Sequence, residues 1–192
     1  MKASKHETVR PKLGARKVAK LRVRVAPWVS GHALATAFIS VGAMHLPCAI
    51  GRAGVTRQKR EGDGATPIGR FRILSWRFQP TTPPFHRGNL DARPIRRDDG
   101  WCDDPSSGAY NRQIKLPARA GHETLWREDG KYAVIGVLDY NIRPRKRPAG
   151  SAIFFHLCDA QFGATAGCVA VRPNDFRKIA PLVSRRTILE IA

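Results

Sequence analysis

Apolar and polar residues alternate along several short stretches of the chain. In "LRVRVA", residues 21–26, Leu21, Val23 and Val25 alternate with Arg22 and Arg24. A period of two is the mark of a strand with one buried face. "ATAFISVGAMHLPCAIG", residues 35–51, reads as two short strands joined at Gly42, and "RFRILSWRF", residues 70–78, alternates again. Four further strands are expected in "RQIKLP" (112–117), "KYAVIGVLDYN" (131–141), "SAIFFHL" (151–157) and "GCVAV" (167–171), and "RTILEIA" (186–192) closes the chain as another.

Helical spacing occurs once. In "RPNDFRKIAPLVSRR", residues 172–186, Pro173, Asn174 and Asp175 suit a first turn and cap, and Phe176, Ile179 and Val183 share one stripe. Arg185 and Arg186 suit the C-terminal end, and Pro181 weakens the second half. The expected fold is mainly β, with β-sandwich-like mixed sheets and one short helix near the C-terminus. The segment 79–111, rich in Pro, Arg and Asp, has no period and reads as an irregular insertion. It is expected to be structured, because Phe85, Trp101 and Tyr110 are too many aromatics for a flexible linker.

Length and composition frame this pattern. A chain of 192 residues with 42% hydrophobic content suits one domain with a single core. Residues 1–19 hold six Lys or Arg and few large apolar groups, so a flexible basic arm is expected there, with the folded domain spanning 20–192. Thirty-four Lys and Arg against 15 Asp and Glu leave a net charge of +19, which attracts any polyanion: nucleic acid, anionic lipid or an acidic wall polymer. A nucleic-acid-binding protein is therefore a rival reading, although no recognition helix, zinc-finger spacing or aromatic-basic strand supports it.

No apolar run is long enough for a membrane-spanning helix, since Ser40, His45 and Pro47 interrupt the segment from Ala33 to Ile50. The basic lead to Arg24 followed by "HALATAFISVGAMHLPCA" imitates a secretory signal, but the apolar run comes late, and no convincing export signal results. Cys48, Cys102, Cys158 and Cys168 contain no C-x-x-C pair, so neither a metal site nor any other cofactor is expected. Cys102 and Cys158 are open to two readings, a disulfide or two buried thiols.

The chemistry concentrates in "SAIFFHLCDAQFGATAGCVAVRPNDF", residues 151–176. His156 ends one strand, Cys168 opens the next, and the turn between them is rich in small residues. An imidazole that takes the thiol proton would make Cys168 a nucleophile, and Gly167 lets backbone amides approach a developing oxyanion. Cys158 is the nearest rival nucleophile but lacks a preceding glycine turn. The spacing by itself is equally compatible with a buried His and a small apolar Cys.

The run His156 followed by Thr165-Ala166-Gly167-Cys168-Val169 resembles the active-site signature of the YkuD-type L,D-transpeptidases. A second block, Thr66, Pro67, Gly69 and Phe71 in "GDGATPIGRF", is similar to another element of that family. The resemblance covers Leu21 to the C-terminus. Within the family, "PIRRDDGWCDDPSSGAYNR" with "YNIRPRKRPAGSAIFFH" resembles a proteobacterial subgroup that joins L-Ala to diaminopimelate in 1,3-type cross-links.

The resemblance implies a peptidoglycan-cross-linking acyltransferase with stem peptides as donor and acceptor, acting in the periplasm. It implies Cys168 as nucleophile and His156 as base, oriented by a backbone carbonyl, with Asp139 and Asp159 as other possible orienting groups. It also implies acylation of Cys168 by carbapenem-type β-lactams. Hydrolysis in place of transfer would make the protein a carboxypeptidase. Two positions depart from the family pattern, Ala166 and Ala170, where common members carry His and Arg.

Candidate substrate contacts are Thr165, Arg172, Trp101, Tyr140 and Asn141. Arg172 would share a strand face with Cys168 and hold a carboxylate, or stand solvated at the strand end. Trp101 would be part of a cap that meets the sugar or stem peptide, with the acids around it, Asp98, Asp99, Asp103 and Asp104, pairing with the ammonium of diaminopimelate, or the acids would pair with Arg93, Arg96 and Arg97 in a structural network. Tyr140 and Asn141 would line the pocket, or Asn141 would make a turn.

Overall fold

The computed structural model describes residues 20–25 and 36–192. The expected basic arm lies outside the described residues. Eight strands form the body: β1 (Lys20–Val25), β2 (Thr36–Val41), β3 (Met44–Ala49), β6 (Gly69–Phe78), β11 (Val134–Leu138), β12 (Phe154–Leu157), β13 (Val169–Val171) and β14 (Ile188–Ile191). Their pairings run β11-β12-β13-β3-β2-β1-β14-β6, and β6 pairs back onto β11, so the sheet closes on itself. Closure removes free edges and encloses the alternate apolar residues. β7 (Asp91–Pro94) extends β6 outside the ring.

The alternation of β1 is explained by this closure. Leu21 and Val23 are fully buried within it, whereas Arg22 faces out and reaches Glu190 of β14 at 2.9 Å. Gly42 sits at φ +59 in the two-residue link of β2 to β3, a conformation that glycine adopts without strain. The helix α1 (Pro173–Ile179) runs into a short 3-10 turn, Ala180–Leu182, around Pro181. Phe176, Ile179 and Val183 are all buried, as the stripe predicts, and Phe176 meets the Trp76 ring edge to face at 5.6 Å. Arg172 occupies the N-cap with no side-chain cap, so neither Asn174 nor Asp175 caps the helix; Asp175 pairs with Lys178 instead, at 2.8 Å.

The segment 79–111 contains β7 and β8 (Asp99–Cys102). β8 is the middle of a second sheet with β9 (Gln113–Lys115) on one side and β10 (His122–Thr124) on the other. These strands are only three or four residues long, too short for a legible period, and their order comes from pairing. β4 (Val55–Thr56) and β5 (Thr66–Pro67) form a small parallel pair in the loop before β6.

Strand β12 joins the two layers. Phe155 and Leu157 point into the closed sheet. Phe154 points the other way, into a second cluster with Trp101, Tyr132, Ile135 and Cys168. His156 follows Phe154 by two and shares its face. The outer face of β12 and the three-stranded sheet therefore enclose the region that both His156 and Cys168 line.

Candidate active site

A cavity of about 470 Å³ opens there. Its floor is Ser151 to Ile153 with His156 and Cys158; one wall is the turn from Gly163 to Cys168. The opposite wall comes from the second sheet and the loop after it, through Asp103, His122, Glu123, Arg127 and Tyr132, and the 51–69 loop adds Arg52, Lys59 and Glu61.

Cys168 and His156 are 6% and 5% exposed. The Cys168 thiol donates to the Ala152 carbonyl at 3.2 Å, and its Sγ accepts the Phe154 N–H at 3.3 Å. Burial pushes this thiol up to about 12, and the negative field of Glu123 adds to the rise, against the Phe154 N–H, Lys59 and the Tyr132 hydroxyl, which favour the thiolate. Burial holds the His156 imidazole down, to about 4, although contacts with the Leu157 and Lys131 backbone favour its charged form. The resting pair is thus a thiol and a neutral imidazole.

His156 Nδ1 lies 2.7 Å from the Leu157 carbonyl oxygen. A carbonyl can only accept, so Nδ1 carries the proton and Nε2 keeps a bare lone pair. A backbone carbonyl therefore orients the imidazole. Asp139 accepts the Arg72 N–H at 2.8 Å, and Asp159 pairs with Lys131 at 3.4 Å, so both carboxylates are engaged elsewhere.

The turn before Cys168 is fastened by Thr165. Its hydroxyl donates to the Cys168 carbonyl at 2.7 Å and accepts the Gly167 N–H at 3.1 Å. Gly167 sits at φ +141, and a Cβ there would lie 2.8 Å from the Ala65 carbonyl oxygen. The glycine is needed both for its backbone conformation and for that close approach. Ala65 belongs to the second motif block, whose Thr66 hydroxyl accepts the Gly51 N–H at 2.8 Å and points toward the Cys168 carbonyl at 3.5 Å. Two motifs about a hundred residues apart thus build one turn.

Tyr132 stands over His156 edge to face, with ring centroids 5.0 Å apart, and its hydroxyl donates to Glu123 Oε1 at 2.5 Å. Burial lifts the Glu123 carboxyl above its ordinary value, helped by Asp103 and Glu61 and opposed by Tyr132 and Arg127.

Of the residues singled out by sequence, Cys168, His156, Gly167 and Thr165 converge on the cavity. Arg172, Trp101, Tyr140 and Asn141 are not among its lining residues. The Arg172 guanidinium lies 4.1 Å above the Phe162 ring and donates to the Ala160 carbonyl at 2.7 Å. Trp101 is buried, packs edge to face on Phe154 and donates to Asn111 Oδ1 at 2.9 Å, a core position rather than a cap over substrate. Tyr140 leans on Phe71, its hydroxyl bonded to the Ala149 carbonyl. Asn141 ties the turn after it together, bonding Lys146 in both directions and the Gly150 carbonyl.

The acids of the insertion pair differently from the expected network: Asp98 and Asp99 both hold Lys115 at 2.8 Å, and Arg97 reaches Glu128 at 3.9 Å. All four cysteines are free and buried, so no Cys102–Cys158 disulfide forms. Cys158 does line the cavity, with burial pushing its thiol to about 11.

Sequence reasoning missed Asn111. It is 1% exposed, sits at φ +52 and binds the Trp101 indole, the Ala152 N–H and the carbonyls of Tyr140 and Asn141. It thereby fixes Ala152, whose carbonyl holds the Cys168 thiol and whose own φ is +51. Glu123, Tyr132 and Ser151 were missed as well; they lie on short or irregular segments where no spacing marks a role.

No curated protein and no solved structure matches the chain. Among the described residues no helix is long and apolar enough to cross a membrane. Residues 30–191 match the model of the YkuD family, the L,D-transpeptidase catalytic domain, which acts on peptidoglycan of the cell wall. With that match spanning most of its length, and the two motif blocks meeting at one turn, the chain belongs to the YkuD L,D-transpeptidase catalytic domain family.

Proposed function

We propose that the protein is a cysteine-dependent peptidoglycan L,D-transpeptidase in which Cys168 is the nucleophile and His156 the acid–base group. The observation that carries this reading is their convergence, with an Nδ1–H imidazole and a thiol lining one cavity. A donor stem peptide enters and its carbonyl meets Cys168 Sγ. The thiol proton passes to His156 Nε2 as the S–C bond forms. Because the Gly167 N–H is held by Thr165, the oxyanion takes the N–H of Cys168 itself.

His156 then protonates the leaving amine as the C–N bond breaks, which leaves a thioester. An acceptor amine attacks that carbonyl, the C–S bond breaks, and the proton returns through His156 to the thiolate. Water in place of the amine yields a trimmed stem. The subgroup resemblance of the 94–112 and 140–156 segments supports L-Ala as the donor position and diaminopimelate as its partner, in the periplasm.

The test is mass spectrometry of muropeptides after incubation of disaccharide-tetrapeptide and disaccharide-pentapeptide stems with the protein and with Cys168→Ala. Cross-linked dimers that vanish in the variant support the reading, and fragmentation identifies the donor residue. Trimmed monomers without dimers would replace transfer with carboxypeptidase activity. No product from the wild-type chain would overturn the assignment.

A further inference from the structure

The charges around the cavity are distributed unevenly. Of its cations, Lys59 pairs with Asp63 at 2.5 Å, Arg127 with Asp129 at 2.6 Å and Lys131 with Asp159 at 3.4 Å. Arg52 lies along the 51–69 loop, close against Gly64. The cavity's three carboxylates, Glu61, Asp103 and Glu123, take part in no ion pair among the described residues. In a chain of net charge +19 with only 15 acids, three carboxylates outside any ion pair in the cavity that Cys168 lines need an explanation.

Two of the three are held by neutral donors: Tyr132 donates to Glu123, and Tyr110 to Glu61. A phenol fixes a carboxylate in place without cancelling its charge. The negative charge therefore stays at Glu123, where it raises the Cys168 thiol, while Arg127 and Lys131 act on His156. A second observation points to a ligand independently. Ser151 is 6% exposed and lines the cavity, and among the described residues its Oγ is the only buried side-chain polar atom with no hydrogen-bond partner. A buried hydroxyl without a partner is costly, and a bound molecule would satisfy it. It stands next to Ala152, the residue whose carbonyl holds the nucleophile.

We propose that Glu123, flanked by Asp103 and Glu61, is the subsite for a primary ammonium group of the peptide substrate, with the Ser151 hydroxyl as a second contact to the bound peptide. The proposal deepens the transpeptidase reading and rests on it for the identity of the peptide. The acceptor enters as an ammonium ion and cannot attack until it loses a proton. Glu123 takes that proton and the free amine attacks the thioester. As the C–N bond forms and the C–S bond breaks, the second nitrogen proton passes through His156 to Sγ. Glu123 then releases its proton to solvent. Its raised carboxyl suits the exchange, because a base of ordinary carboxylate strength would hold the proton less well.

The experiment is calorimetric binding to the full-length Cys168→Ala chain, which has no turnover. Its ligands are a diaminopimelate-containing stem peptide and the same peptide with its amines acetylated. Glu123→Gln is added on the same background; glutamine keeps a carbonyl oxygen for the Tyr132 hydroxyl. The free-amine peptide is expected to bind about tenfold or more tightly than the acetylated one, and Glu123→Gln to abolish most of that difference. Ser151→Ala is expected to weaken both peptides alike. Equal binding of the two peptides, or an undiminished preference in a folded Glu123→Gln chain, would overturn the subsite. Failure of the transpeptidase reading shows separately, as no acyl-enzyme mass on the wild-type chain with donor stems.

Discussion

A thiol pushed up to about 12 instead of 9.0 carries about one thousandth of the thiolate at neutral pH. A more basic thiolate is a better nucleophile, and a Brønsted slope of about 0.4–0.5 returns roughly twentyfold over that interval. Cys168 in the resting protein is therefore expected to react with iodoacetamide roughly fiftyfold more slowly than an ordinary cysteine, before any loss from restricted access. Its rate should climb about tenfold per pH unit from pH 6 to pH 9 with no plateau. The assay is the initial rate of Cys168 modification by peptide mapping, which separates it from Cys48, Cys102 and Cys158, with glutathione as reference. Glu123→Gln removes a charge that opposes the thiolate and should speed the reaction. A plateau below pH 8 would mean that thiolate and imidazolium already coexist, and the reasoning from burial would be refuted.

Other expectations concern the same site. His156 titrates near 4 in the fold and near 6.5 when unfolded, so the unfolded chain binds more protons between those values. Stability from this group is full above pH 6.5 and falls by about 3 kcal/mol as the pH drops to 4; denaturant unfolding of His156→Gln should show a flatter pH profile. Gly167→Ala should remove cross-linking and cost about 1–3 kcal/mol, since a Cβ meets the Ala65 carbonyl at 2.8 Å at φ +141; thermal unfolding and muropeptide assays check this. Thr165→Val should lower turnover by releasing the Gly167 and Cys168 backbone, whereas Thr165→Ser should restore it. A carbapenem should add its mass to the wild-type chain and not to Cys168→Ala, as intact-protein mass spectrometry would show.

Strand β1 was legible in the sequence because it buries one face, and burial on one face imposes a period of two, whereas β11, β12 and β13 are buried along their whole length and read as short apolar runs. Leu21 and Val23 alternate with Arg22 and Arg24 for that reason. The single helix was legible from Phe176, Ile179 and Val183, which must all reach the same core. Cys168, His156, Thr165 and Gly167 were legible from their resemblance to a family signature, which keeps a His and a small-residue turn ending in Cys in fixed order. That order survives in a linear string.

The far wall of the cavity leaves no such trace. β8 and β10 are short and charged, and they become a sheet only by pairing with each other and with β9. Arg172 shows the limit from the other side: alternation gives it the face of Cys168, but the Phe162 ring and the Ala160 carbonyl hold it away from the cavity. Trp101 reads as a substrate contact among four acids, yet it is core because Phe154 and Asn111 pack against it. Local periodicity thus determined which residues of β1 and α1 face inward, and the resemblance to a family signature pointed to the turn that holds Cys168. Only contacts between distant segments decided that Glu61, Asp103 and Glu123 line the cavity with Cys168, because Tyr110 holds Glu61, the Gly121 carbonyl holds the Asp103 N–H, and Glu123 pairs opposite Trp101.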